Sequence, residues 1–385
     1  MKVINNKYTQ ILNHGYTNIF LHILISFILS FVFIAHTINV PYYKKIIVIT
    51  IFIVGTLVFL KYFRELTLFD YILFILIIIL SISRMNNKGP FWLKNYYLYL
   101  STIGIIVGVL IINNKTPDWV FLLPFMTIFL MVVYYFVKTK SLVESSYFIL
   151  LNRNVLAKYT LTYGMLYTTN KYIKNKSLDL LVPTLTLAIT FFSNSRTGLL
   201  MAMSYVLVIV IHKIFNRYGN NYLDGGNKSK VLVRLIYVFG LVLIIVAVFT
   251  FLISKSRFEE VGFSGTGRLA IYKAFFNELS FRKFLFGFYP SPLNDQPNLH
   301  NSYFQLIADV GALSILFYFM CLVSLLYYFK SSKLLMMFML INMIYALPEH
   351  HIFLRVADIV FLPLIMIAFK KIIAINMGKR KIHLE

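Results

Sequence analysis

The sequence predicts an all-α polytopic membrane protein of about twelve transmembrane helices with one longer external loop, and three observations predict it. Hydrophobic residues fill 59% of 385 positions, mean hydropathy is +0.77 and only 13% of residues are charged, whereas a soluble domain is roughly half apolar and about a quarter charged. The apolar residues fall in runs close to the ~20 residues that cross ~30 Å of hydrocarbon. The connections between runs are short and polar, except for the interval 254–300. Length therefore counts spans, and residues 1–385 read as a single integral membrane unit with an external loop at 254–301.

The first run, Thr17 to Asn39, follows a tail bearing Lys2 and Lys7. It is too long for a secretory h-region and no small-residue cleavage site follows it, so a retained span is expected. Ile46 to Leu60, Leu66 to Ser83, Tyr97 to Ile112 and Trp119 to Val137 come next. The sixth, Asn154 to Thr169, is the weakest because it carries Lys158, Gly164 and several Thr and Tyr. Then come Leu178 to Asn194, Thr197 to Phe215, Val231 to Ile253, Ser302 to Phe329, the short Leu334 to Leu347, and Ile352 to Ala374.

Twelve spans put both termini on one side, and Lys and Arg decide which. With the termini cytoplasmic, the inner segments hold 20 of the 37 basic residues and the short outer loops hold 10. Long loops translocate regardless of charge, so the comparison favours cytoplasmic termini. The net charge of +23 is scattered through short loops with no aromatic-interleaved basic patch. Anionic membrane lipid is thus the expected partner, not nucleic acid. The one cysteine, Cys321, lies in an apolar run and supplies neither a disulfide framework nor a thiolate metal site.

Candidate chemistry gathers at a few polar interruptions. Helix from Leu178 to His212 would measure roughly 52 Å, too long for one span. The chain must break, and it does so at Ser193-Asn194-Ser195-Arg196-Thr197-Gly198. An arginine at that junction is either a snorkelling interfacial residue or a cation lining a polar cavity. Span parity puts Arg196, the long interval and the Glu349-His350-His351 cluster on one face. Within the interval, Gly267 to Phe286 has apolar residues at Leu269, Tyr272, Phe276 and Leu279, a spacing expected of an amphipathic helix on the membrane. Arg268 at its start suits a phosphate. His300, flanked by Asn298, Asn301, Ser302 and Tyr303, is either structural or a group that takes a proton from a sugar hydroxyl. His350 and His351 are adjacent, poor spacing for two ligands on one helix face, and no pair of aspartates one residue apart is present, so no metal and no cofactor are assigned.

In order, Ser193 to Gly198, Gly267-Arg268-Leu269-Ala270-Ile271-Tyr272, Phe286-Gly287-Phe288 and His300-Asn301-Ser302-Tyr303 followed by Gly311 resemble the O-antigen ligase and O-antigen polymerase superfamily over roughly residues 150–315. The resemblance implies a membrane glycosyltransferase of GT-C-like architecture, metal-independent and inverting. Such an enzyme acts on undecaprenyl-pyrophosphate-linked oligosaccharide at the outer face of the cytoplasmic membrane, in capsule or O-antigen synthesis, beside flippase and chain-length regulator proteins. Its histidine corresponds to His300 as the catalytic group. Its arginines correspond to Arg196 and Arg268, with Arg153 a further basic position, as pyrophosphate and substrate contacts together with Asn301 and Tyr303. Tyr272 stands where the family often carries tryptophan. Two other readings remain beside polymerisation: a ligase that moves a finished glycan to another acceptor, and a non-enzymatic transporter of the lipid-linked unit.

Overall fold

The computed structural model describes residues 19–34, 41–62, 66–85, 91–113, 116–139, 153–193, 195–219, 268–288, 299–349, 351–353 and 355–376. Among these residues every regular element is a helix. In chain order they are α1 (Ile19–Ile34), α2 (Pro41–Tyr62), α3 (Leu68–Met85), α4 (Phe91–Ile112), α5 (Trp119–Thr139), α6 (Arg153–Asn175), α7 (Leu181–Phe192) and α8 (Arg196–Gly219). After the ninth expected span, which lies outside the described residues, come α9 (Arg268–Glu278), α10 (Phe281–Phe286), α11 (Ser302–Val310), a 3-10 turn (Gly311–Leu313), α12 (Ser314–Ser331), α13 (Lys333–Tyr345) and α14 (Asp358–Asn376).

Trp119–Lys138, Arg196–Ile214 and Ser302–Ser331 are long and apolar enough to cross a membrane, and shorter apolar helices stand beside them. This is the architecture of a helical membrane protein. α12 shows why. Its inner face buries Phe317, Met320, Cys321, Ser324 and Tyr328, while Ile315, Phe319, Leu322, Leu326 and Phe329 form an exposed stripe on the other side. A helix apolar on all faces is at home only where its outer face also meets hydrocarbon.

Contacts between helix ends show that direction alternates along α5 to α8 and that α3 runs opposite to α14. At one end, the start of α6 meets the start of α8 through Asn154 and Ser195, and the start of α11 meets the end of α13 through Ser302 N–H donating to Ala346 C=O. At the other end, Asn170 of α6 donates to Asp118 before α5, Tyr172 meets His212 of α8, and Phe69 of α3 stacks on Phe369 of α14 at 4.0 Å. α4 and α14 therefore lie parallel, with Ser101 hydrogen-bonded to Asp358 and Gly108 beside Met366. Small residues let their backbones close: a Cβ on Gly104 would overlap the Asp358 carbonyl oxygen.

Several boundaries differ from the hydropathy pattern. α6, the weakest expected span, is a 23-residue helix and is buried along most of its length. α7 has only 12 residues. The twelfth run becomes helical at Asp358 instead of Ile352, because Phe353 adopts φ 60° and Asp358 accepts the Phe353 and Arg355 N–H groups, closing a turn before the helix. The tenth run breaks at Gly311, where φ is 58° and a Cβ would strike Leu285 C=O and Gly287 N. The single amphipathic helix expected over Gly267 to Phe286 is two helices, since Ser280 caps α10. The buried ring of α9 is Phe275, stacked on Phe304 at 5.0 Å, while Phe276 is exposed.

Replacing Gly104 with leucine should split α4 from α14 and destabilise the protein by about 3 kcal/mol, the upper part of the usual overpacking range. Thermal unfolding in detergent reads this out. Gly55→Ala on α2, whose added Cβ would meet only Ile106 Cδ1 at 3.5 Å, should change little.

Candidate functional site

The polar groups at the end of the bundle where α6, α8 and α11 begin are joined by one hydrogen-bond network. Ser195 precedes α8 and caps it, its Oγ accepting from Gly198 N at 3.3 Å. The same hydroxyl donates to Asn154 Oδ1 at 2.9 Å, and Asn154 Nδ2 donates to Glu349 Oε1 at 3.3 Å. Lys158, one turn further into α6, donates to Glu349 Oε2 at 2.9 Å, with side-chain exposures of 12% and 6%. Gly198 allows this closeness, because a Cβ there would collide with Ala157 on α6.

Ser302 ties α11 to the same place. Its hydroxyl donates to Glu349 C=O at 3.0 Å and accepts from His351 N at 2.8 Å and Ile352 N at 3.3 Å. A hydroxyl so engaged is a staple and not a nucleophile. Behind it, Asn342 Nδ2 donates to Phe338 C=O, which leaves Asn342 Oδ1 facing His351 Nε2 at 3.0 Å. The proton of neutral His351 therefore sits on Nε2. Nδ1 is buried with no partner among the described residues. Burial, and then the charge of Lys158, hold this imidazole well below the ordinary histidine range. His351 lies in the turn between α13 and α14, outside the apolar helices.

The expected site residues fall around this network. Arg153 and Arg196 are the first residues of α6 and α8, both partly exposed. His300 precedes the α11 cap in a left-handed conformation, φ 48°, which few residues without glycine's freedom adopt. Its C=O faces Tyr272 Oη at 3.5 Å, and that hydroxyl also donates to Leu347 C=O at 3.3 Å, bringing α9 to the same end. Arg268 is the first residue of α9. Asn301 has its Oδ1 committed to capping α11, accepting from Tyr303 N and Phe304 N. Tyr303 directs its hydroxyl into the bundle, onto Met343 C=O at 2.9 Å. Arg153, Arg196 and His300 are thus gathered, with the start of α9 nearby, while Asn301 and Tyr303 serve the fold locally.

Sequence reasoning did not assign Asn154, Lys158, Ser302 or Glu349. Lys158 was the available signal: a charge inside an otherwise uncharged stretch of helix requires a partner, and Glu349 is an acid at the parity-matched end. No protein-family model matches the chain, and neither a curated protein nor a solved structure is similar to it.

Two outcomes follow. Lys158→Met or Glu349→Gln alone should destabilise by about 3–5 kcal/mol because each strands a buried charge, and the double variant should recover most of that loss. Thermal unfolding of the four proteins measures the coupling. For His351, the folded-state pKa lies below the unfolded value, so the unfolded chain binds the extra proton; stability is complete above about pH 6.5 and falls as pH drops below it. Unfolding midpoints measured between about pH 8 and 5 should fall, and His351→Gln should flatten that slope.

Proposed function

We propose that this protein is a membrane glycosyltransferase that joins undecaprenyl-pyrophosphate-linked repeat units into a polysaccharide at the outer face of the cytoplasmic membrane. The observation that carries this reading is the meeting of three helix starts, bearing Arg153, Arg196 and His300, around the buried Lys158–Glu349 pair. The starts of α6 and α8 present positive dipole ends with an arginine on each, an arrangement that favours an anion such as pyrophosphate, whereas the first N–H groups of α11 are taken by Asn301 and Ala346. The resemblance of the motifs from Ser193 to Gly311 to the O-antigen ligase and polymerase superfamily gives that anion its glycan. A spanning topology of twelve helices in a GT-C-like arrangement, with the site external, belongs to this reading. The alternation along α5 to α8 fits it, since it brings the starts of α6 and α8 to the end where α11 begins.

The reaction follows from the charges. The pyrophosphate of the growing chain's carrier binds Arg196 and Arg268. The acceptor sugar hydroxyl of the incoming unit attacks the anomeric carbon from the opposite face while neutral His300 takes its proton. The new C–O bond forms as the bond to pyrophosphate breaks, and the electron pair leaves on undecaprenyl pyrophosphate with inversion. The arginine forks strengthen as negative charge develops on the leaving group, which is where binding lowers the barrier.

Purified protein supplied with lipid-linked repeat units and no other acceptor should give a ladder of lengthening products. Reaction only after a second acceptor is added would identify a ligase, and no reaction in either case would overturn the assignment. In that assay His300→Ala should lose at least about a hundredfold in rate, as expected for a general base. Arg196→Lys should lose roughly as much, because an ammonium cannot reproduce the guanidinium fork. Wild-type rates in both variants would remove these residues from the chemistry.

A further inference from the structure

A cleft lies away from the network just described. α2 and α3 each pack along α4 but hardly touch one another, so a gap opens between them with α4 as its floor. Its volume is about 300 Å³ and its walls include Ile51, Gly55, Asp70, Phe74, Ile106 and Val109. Ligand pockets run from ~300 to ~1,000 Å³, so this one has room for a single hydrocarbon chain and not for a whole lipid.

Asp70 makes the cleft more than an apolar gap. Thr67 and Asp70 form a capping box at the start of α3, in which Asp70 Oδ2 accepts from Thr67 N at 2.7 Å and Thr67 Oγ1 at 2.9 Å. The other oxygen, Oδ1, is buried and has no partner among the described residues, on a residue 4% exposed. A carboxylate oxygen among apolar side chains calls for a donor. Cations stand at the same end. The stacking of Phe69 on Phe369 brings the turn that carries Lys370 beside the one that carries Asp70, and Lys61 lies in the last turn of α2.

We propose that this cleft holds one chain of a phosphoethanolamine lipid, with the lipid's ammonium group on Asp70 Oδ1 and its phosphate beside the lysines. The lining accounts for the chain, the orphan oxygen for the ammonium, and the paired signs at the rim for a zwitterion. A phosphoglycerol lipid offers the phosphate but no cation for the acid. The site is independent of the proposed transfer reaction and lies at the opposite end of the bundle from it.

The test is native mass spectrometry of the full chain released from nanodiscs made of equal phosphatidylethanolamine and phosphatidylglycerol. One retained phosphatidylethanolamine is expected on the wild type. Asp70→Asn keeps the acceptor for Thr67 and replaces the free oxygen with a donor. It should lower retention at least about tenfold, the equivalent of ~1.4 kcal/mol. Gly55→Leu fills the cleft without touching the cap and should do the same, so it carries the test if the first variant fails to fold. Equal retention of the two lipids by the wild type, unchanged retention in Gly55→Leu, or a polyprenyl phosphate held in place of the phospholipid would each overturn the proposal.

Discussion

A lysine in the second turn of α6 and a glutamate just beyond α13 face each other at 2.9 Å with little exposure to solvent, and the polar groups at that end of the bundle are arranged around them. An unpaired charge at membrane depth costs roughly 2.5–3.5 kcal/mol even on the most permissive insertion scale. Pairing removes that penalty only if the remaining lone pairs are satisfied. Asn154 supplies one contact to the glutamate, and Ser195 fixes the orientation of Asn154 in turn. A buried pair is weak evidence for net stability, but it strongly opposes slippage. Sliding α6 by one turn past the α13–α14 loop would strand both charges. The pair therefore sets the register on which Arg153, Arg196 and His300 depend.

The same end shows how little of the polar inventory is free for chemistry. Ser302, Asn301 and Tyr303 all look like ligand contacts in a motif, yet the Ser302 hydroxyl serves a loop staple, the Asn301 Oδ1 a helix cap and the Tyr303 hydroxyl a bond to Met343. This sorting matters for the proposed reaction. The arginines at the helix starts stand at this same end, beside an imidazole held in a strained backbone conformation. Such strain persists only where its surroundings over-determine it. At His300 they do: a cap follows it, and its carbonyl faces Tyr272.

Most helices could be read from hydropathy, because an apolar run near membrane length has few alternatives. The errors came where local backbone chemistry overrides composition. Gly311 interrupts a run that looks continuous, since its positive φ and its contact with Leu285 leave no room for a side chain. Phe353 and Asp358 close a turn ahead of α14 by bonds that no periodicity signals. In α9 the apolar spacing names Phe276 for the membrane-facing stripe, and Phe276 is exposed; the ring buried within the protein is its neighbour Phe275, which the stripe omits. At the site, the convergence of helix starts could be inferred by counting spans. The Lys158–Glu349 pairing is harder to find: a charge inside a span calls for an acid, but this one lies 191 residues away and only span parity brings it to the same end.

Near the site, the turn after α10 presses its backbone against the break between α11 and α12. Phe288 N–H donates to Ala308 C=O at 2.7 Å, and Gly287 and Gly311 meet with no space for a Cβ on either. Leu299, just before His300, is buried with Phe275 and Ala308 in a small separate cluster. The chain is therefore anchored on α11 both at residue 288 and at residue 299. The two anchors tie the turn after α10 and the approach to His300 to the same short helix, so any shift of α11 would carry both with it.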